Sequence, residues 1–411
     1  MKSPALLIAS MIIASNAHGR ETALFDANPE HPWNRLSAAL HSDAPPEFNV
    51  SGEYETRLLT GEVYRNTLNA LDDFLGQHAE KAIKTPVKRA ILQSELWATF
   101  DQVSDATGGE QAARMEIARR CATIIKRLAL SDAEIAALPD TYAITVKSKE
   151  FPSDYDAAHP QSVFLPGDML AESGPWIMLS SSAMESQQPA AIQHVKATQG
   201  RAVFYVLMRL PAGRQATLAY LKQLAEFPQP YTWNEKYKAY PYARSAVSFN
   251  RELPQFPPGT QVALIRRMVL TTSGGELKVT PIIENIQIRV YVKDPKEVHS
   301  GTSGSQDFYE LPLAPEELFK GNGGLRASNG KHHARQLTFA KVNLFSQGAG
   351  CSSCHGGPGV LSLNTYTNVF GTPPSSPWFE PSSVSWQDTH TLNWKKRDYT
   401  WGLLSALLES R

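Results

Sequence analysis

Two thiols and an imidazole stand together near the C-terminal end of the chain, in the run GAGCSSCHGGPG from Gly348 to Gly359. Cys351 and Cys354 are three positions apart, and His355 follows directly. Thiols at this spacing can each reach one vinyl group on the same edge of a porphyrin. The adjacent histidine then lies under the iron and becomes its axial ligand. Cys-x-x-Cys-His is accordingly the pattern of one covalently attached haem c, with His355 as the proximal ligand. Other thiol chemistries fit less well. A structural zinc wants four ligands, and this cluster offers three. A redox dithiol wants its first cysteine at a helix start in a parallel βαβ unit, whereas Gly356, Gly357, Pro358 and Gly359 oppose a helix here. A plain disulfide between Cys351 and Cys354 stays open. The remaining cysteine, Cys121, recurs with Ile117, Ile124 and Leu128 at helical spacing and reads as a small buried hydrophobe.

Iron held by His355 has a second axial position, and the sequence limits what can fill it. No methionine follows Met268, so methionine ligation from within the haem segment is excluded. His390 is the only histidine after His355 and is the candidate distal ligand. His332 and His333, upstream of the motif, are alternatives, and an open or remotely ligated position is the third. Each has a plainer reading: His390 as a solvated loop histidine, His332 and His333 as part of a basic surface turn. His78 falls on an apolar helical stripe and reads as a satisfied core histidine. Trp378, Trp386, Trp394 and Trp401 crowd the same tail and read as a wall that packs the porphyrin and excludes water. Lys395, Lys396 and Arg397 read as a solvated charged face, with a docking patch as the sharper alternative.

Thioether formation with haem takes place outside the cytoplasmic membrane, and the N-terminus agrees with export. Lys2 precedes an apolar run from Ala5 to Ala14, and Ser15-Asn16-Ala17 offers small residues three apart. This reads as a signal peptide, residues 1–17, cleaved after Ala17. The apolar run is too short for a bilayer core of ~30 Å. No cysteine follows the cleavage site to carry a lipid, and no later segment is apolar for long enough to span. The expected location is periplasmic or secreted, without a membrane span. Lys plus Arg and Asp plus Glu both number 40, so nothing in the charge draws the chain to nucleic acid. Three cysteines in 411 residues cannot form a disulfide scaffold.

The elements that must position the motif read as α+β. Residues 18–140 form a helical domain after an irregular entry segment. Tyr64, Leu68, Leu71, Leu75 and His78 mark one helix. Thr85-Pro86 opens a second through Leu92, Leu96 and Phe100, closed by Gly108-Gly109, and the Cys121 helix follows. Ser131 and Glu134 form a capping box for a short fourth. Residues 141–325 read as an α+β domain with an antiparallel sheet: a strand over Arg201–Leu210, a helix over Ala216–Phe227, and a long hairpin around Gly274-Gly275. A further strand covers the run DFYELPL, and Pro281 marks an edge or bulge. Residues 326–411 read as a haem-binding segment, a long loop closed by one helix from Asp398 to Leu408.

The segment from Phe339 to Arg411 resembles the c-type cytochromes of class I. The run LTFAKVNLFSQGAGCSSCHGG is similar to the opening of such a domain, and RDYTWGLLSALLESR to its closing helix. The resemblance implies electron transfer to or from a redox partner protein. Two other functions stay open: a haem oxidoreductase of peroxidase or oxygenase type with an open iron position, and a haem-based sensor or binding protein. Size favours these alternatives, because carrying an electron needs only ~80–100 residues.

Overall fold

The computed structural model describes residues 23–41, 60–105, 110–183, 186–229, 231–233, 247–250, 252–255, 257–294, 306–328, 359–363 and 379–409. Residues 1–17, Gly108-Gly109, His332, His333 and the motif Cys351–His355 lie outside them.

The N-terminal half is helical: α1 (Pro32–Leu40), α2 (Gly61–Gly76), α3 (Pro86–Asp105), α4 (Gln111–Leu128), α5 (Asp132–Ala136) and α6 (Thr141–Ser148). Helix α3 lies at the centre. Ile91, Leu92, Leu96, Trp97 and Phe100 are all buried, as a helix covered on several sides requires. Its Gln93 Nε2 donates to Thr271 O (3.1 Å), which ties it to the sheet. Cys121 is fully buried on α4, and burial pushes its thiol up to about 12, which keeps it unreactive. The capping box is present: Glu134 N donates to Ser131 Oγ (3.2 Å), and Ser131 N donates to Glu134 Oε2 (2.8 Å).

The second half is built on an antiparallel sheet of seven strands. Its strands are β1 (Ile177–Ala183), β2 (Ser186–Pro189), β3 (Ala202–Arg209), β6 (Gln261–Thr271), β7 (Leu277–Tyr291), β8 (Gln306–Pro312) and β9 (Glu380–Pro381). Helices α7 (Ile192–Ala197) and α8 (Arg214–Ala225) flank β3. Strands β4 (Tyr231–Trp233) and β5 (Val247–Phe249) pair separately, and α9 (Pro315–Phe319) follows β8. The order is β2-β1-β3-β6-β7-β8, with β9 on β1. The fold class is thus α+β. Pro281 sits where the β6–β7 register shifts. There Ile283 N, lost to the ladder, donates to Thr141 Oγ1 of α6 (2.8 Å).

Register assigns the two faces. Val203, Tyr205 and Leu207 pair with Arg267, Ile265 and Ala263, and this inner face packs on the helices. Phe204, Val206 and Met208 pair with Arg266, Leu264 and Val262 on the outer face, which Gln287 and Arg289 of β7 continue. One core cluster runs from Phe25 through α3 and the inner face to Leu408. The helical region and the sheet therefore share a core.

The tail holds more structure than its proline content suggests. Helix α10 (Val384–Lys396) precedes α11 (Tyr399–Glu409), so the reading of a loop closed by one helix is corrected. The cause is the stripe α10 buries: Gln387, Thr391 and Lys395, all polar and therefore invisible to hydrophobic periodicity. Lys395 is not solvated either, for it is fully buried against Asp101. Helix α11 packs on the bundle through Trp401 and Trp97, with ring centroids 6.0 Å apart. Two further corrections fall in the N-terminal half. The entry segment contains α1, whose Trp33, Leu36 and Leu40 enter the core. His78 lies beyond the end of α2 in a left-handed conformation (φ 50°), with its side chain exposed beside Glu80.

Candidate functional site

Two described stretches downstream of Cys351–His355, residues 359–363 and 379–382, are fastened to the outer face of the sheet. Gly359–Leu363 forms a short 3-10 turn. Val360 is fully buried in a cluster with Ile177, Leu179, Met208, Tyr220 and Tyr291, and its N–H donates to Gln255 Oε1 (3.0 Å). Ser362 Oγ donates to Gly359 O (2.7 Å), which spends its hydrogen, so Tyr291 is the donor in the 2.5 Å contact between the two hydroxyls. Burial raises the Tyr291 hydroxyl above its ordinary range and keeps that proton in place. Further along, Phe379 is buried in the same cluster, β9 pairs with Leu179 and Ser180, and Ser382 N donates to Met178 O (2.8 Å). Both described ends of the loop after the motif therefore rest on one face.

Between these anchors lies a recess of about 60 Å³. Its apolar wall includes Ala191, Val206, Leu264, Leu363 and Phe379; His194, Gln287 and Arg289 are its polar groups. The His194 ring lies 5.4 Å from that of Phe204. Gln287 Nε2 donates to Glu310 Oε1 (3.2 Å). The recess is thus mainly apolar, with an imidazole, an amide and a guanidinium as its polar groups. Sequence reasoning passed over His194, since one histidine in a short helix carries no spacing signal. Strand pairing is what brings α7 to Leu363.

His390 sits on α10, not in a loop. Ser383 caps that helix by accepting from Trp386 N (3.3 Å). The rings of Trp386 and His390 stack at 3.7 Å. His390 Nδ1 is 2.9 Å from Trp386 O; a carbonyl only accepts, so Nδ1 is the donor in this contact. The residues around it fix the helix. Asp388 accepts from Tyr205 OH (2.5 Å), and burial raises its carboxyl above the usual range. Lys395 Nζ donates to Asp101 Oδ2 (2.9 Å) and Thr400 Oγ1 (2.9 Å), and Arg201 Nε lies 3.1 Å from the same carboxylate oxygen. Burial pushes the Lys395 ammonium down, and the Asp101 carboxylate opposes this.

His390 is absent from the described lining of the recess, so His194 and His390 occupy distinct positions. Met208 is fully buried within the anchoring cluster. No group of three or more metal-ligating side chains occurs among the described residues. No described helix is long and apolar enough to cross a membrane. Compared with known proteins, the chain matches no family model, no curated protein and no solved structure.

Proposed function

We propose that the chain is an exported monohaem c-type protein that transfers single electrons to or from a redox partner protein. The observation that carries this reading is the motif Cys351-Ser352-Ser353-Cys354-His355. The described structure supports it in one respect: the turn four residues beyond His355 is fastened to an apolar face that has an imidazole on its wall. In this reading Cys351 and Cys354 hold the haem, His355 is the proximal ligand, and His390 or another histidine fills the opposite position. The bound haem supplies a one-electron iron couple. The protein's part is to exclude water and to fix the ligands that set the potential. Residues 1–17 direct export to the periplasm or beyond. A second reading, an oxidoreductase or sensor with an open iron position, is favoured by the absence of methionine after Met268.

The test is direct. Protein exported from a host with intact cytochrome c maturation should be red and carry one haem that survives acid-acetone extraction. Cys351→Ala with Cys354→Ala should abolish covalent haem. A colourless wild-type protein from that host sinks the reading.

A further inference from the structure

We propose that a cavity between the tip of the β6–β7 hairpin and helices α4 and α11 binds one monosaccharide unit. This site is independent of the haem reading and shares no lining residue with the recess described above. It measures about 490 Å³, within the ~300–1,000 Å³ of small-molecule sites. Size limits the guest. A cavity of ~150 Å³ admits benzene, so a hexose, with twice as many non-hydrogen atoms, needs ~300 Å³ and a disaccharide nearly twice that. One sugar ring fits with room for a few waters; two do not.

The lining has two levels. The floor is Ala129 at the end of α4, Thr271 of β6, and Trp401 and Leu408 of α11, each 8% exposed or less. Thr271 Oγ1 makes no hydrogen bond among the described residues, so a polar guest beside it relieves an unsatisfied hydroxyl. The rim sets Lys126 and Lys396 against Glu276 and Glu409, with Lys396 Nζ 3.4 Å from Glu276 Oε2. Two ammoniums against two carboxylates leave no net charge to hold an ion. A small anion also lacks backbone donors, because those of the hairpin tip are already used. Ser273 N donates to Leu130 O (2.8 Å), Gly275 N to Thr272 O (2.9 Å), and Gly274 N and Glu276 N to Thr272 Oγ1 (3.2 Å each). A metal cation would face both ammoniums, and a wholly apolar guest would desolvate the rim without replacing its bonds. A sugar meets each demand. Its hydroxyls donate to the carboxylates and accept from the ammoniums, while its C–H surface lies on Trp401 and Leu408.

The experiment titrates the full-length exported protein with glucose, galactose, mannose and maltose, read by saturation-transfer NMR and calorimetry. At least one monosaccharide should bind with a Kd on the order of 1 mM or tighter. If maltose binds as well, the site takes the end of a chain, and if it is excluded, a free sugar; both results support the proposal. Ser405→Phe, which fills the cavity from α11, should abolish binding. Glu276→Gln should weaken it about 10-fold or more, the loss of a hydrogen bond to a charged group. Three results each overturn the assignment: no binding of any monosaccharide, affinity unchanged by Ser405→Phe, or binding of inorganic phosphate, calcium or glycine without binding of a sugar. If Ser405→Phe does not accumulate, Glu276→Gln decides, because a side chain 71% exposed is not needed for folding, and unchanged affinity there defeats the site. None of these readouts requires haem, so their failure leaves the haem reading standing.

Discussion

Loss of the Asp101 carboxylate should destabilise the scaffold strongly. Its side chain is fully buried, and one oxygen serves Lys395 at 2.9 Å and Arg201 at 3.1 Å. At an effective dielectric of ~20 each contact is worth about 5–6 kcal/mol of gross Coulomb attraction. Desolvation of the three groups opposes most of that. Asp101→Asn removes the anion and leaves two buried cations facing each other. The expected cost is ~3–5 kcal/mol, a large part of the 5–15 kcal/mol that holds a domain together. Lys395→Met differs. It leaves the Asp101–Arg201 pair intact and keeps an apolar stem near Trp97, over which the ammonium now lies 5.4 Å from the ring centroid. Its expected cost is ~1–2 kcal/mol. The double variant has one cation fewer to strand, so it should lose at least ~2 kcal/mol less than the sum of the singles. Urea unfolding followed by circular dichroism gives all three values, and fluorescence from Trp97 and Trp401 reports the α3–α11 contact. Equal single costs that add within ~0.5 kcal/mol would refute the electrostatic account.

Gly200→Ala tests the same junction from the backbone side. Gly200 has φ +71°, and a Cβ there would lie 2.8 Å from Lys395 Cβ, so the variant should lose ~2 kcal/mol or more in urea unfolding; a neutral result would mean that α10 is free to shift. Glu317 is held down to about 2, first by its bond from Lys320 and then by Asn322 and Arg326. A depressed carboxylate stabilises the fold above its unfolded value of ~4.3 and loses that contribution as pH falls toward 2. Unfolding free energy should therefore fall between about pH 4.5 and 2, and Glu317→Gln should flatten that slope by ~1 kcal/mol after allowance for partial exposure. Acid titration of stability that is identical in the two proteins would remove Glu317 from the account.

The sequence showed most of what obeys simple periodicity. Cys121, the capping box at Ser131 and the hairpin around Gly274-Gly275 lie where the pattern puts them, because apolar spacing and turn chemistry decide those elements locally. It failed where polar residues are buried by long-range pairing. Lys395 looks solvated until Asp101, on a helix far earlier in the chain, is placed against it. Helix α10 was hidden for the same reason. His194 had no motif around it, and its place in the recess comes from the pairing of β3 with β6, which puts Val206 and Leu264 side by side next to α7.

That pairing also gives the large scaffold a physical role under the haem reading. Arg267 aside, the inner face of the sheet is mainly apolar across β3, β6 and β7 and is covered by the helices. The outer face is divided. Toward β7 and β8 it is polar, where Asn285 Nδ2 and Gln287 Nε2 both donate to Glu310 Oε1, at 2.8 and 3.2 Å. Toward β1 and β3 it is apolar, and there Val360, Leu363 and Phe379 land. A haem attached at Cys351 and Cys354 would need a wall that keeps water from the iron. Fastening the two described stretches to the apolar half would supply that wall. The helices contribute indirectly: by covering the inner face they leave the outer face free to receive Val360, Leu363 and Phe379. On this logic, substitutions in the bundle should alter stability, read by urea unfolding, and leave the absorption spectrum of any bound haem alone.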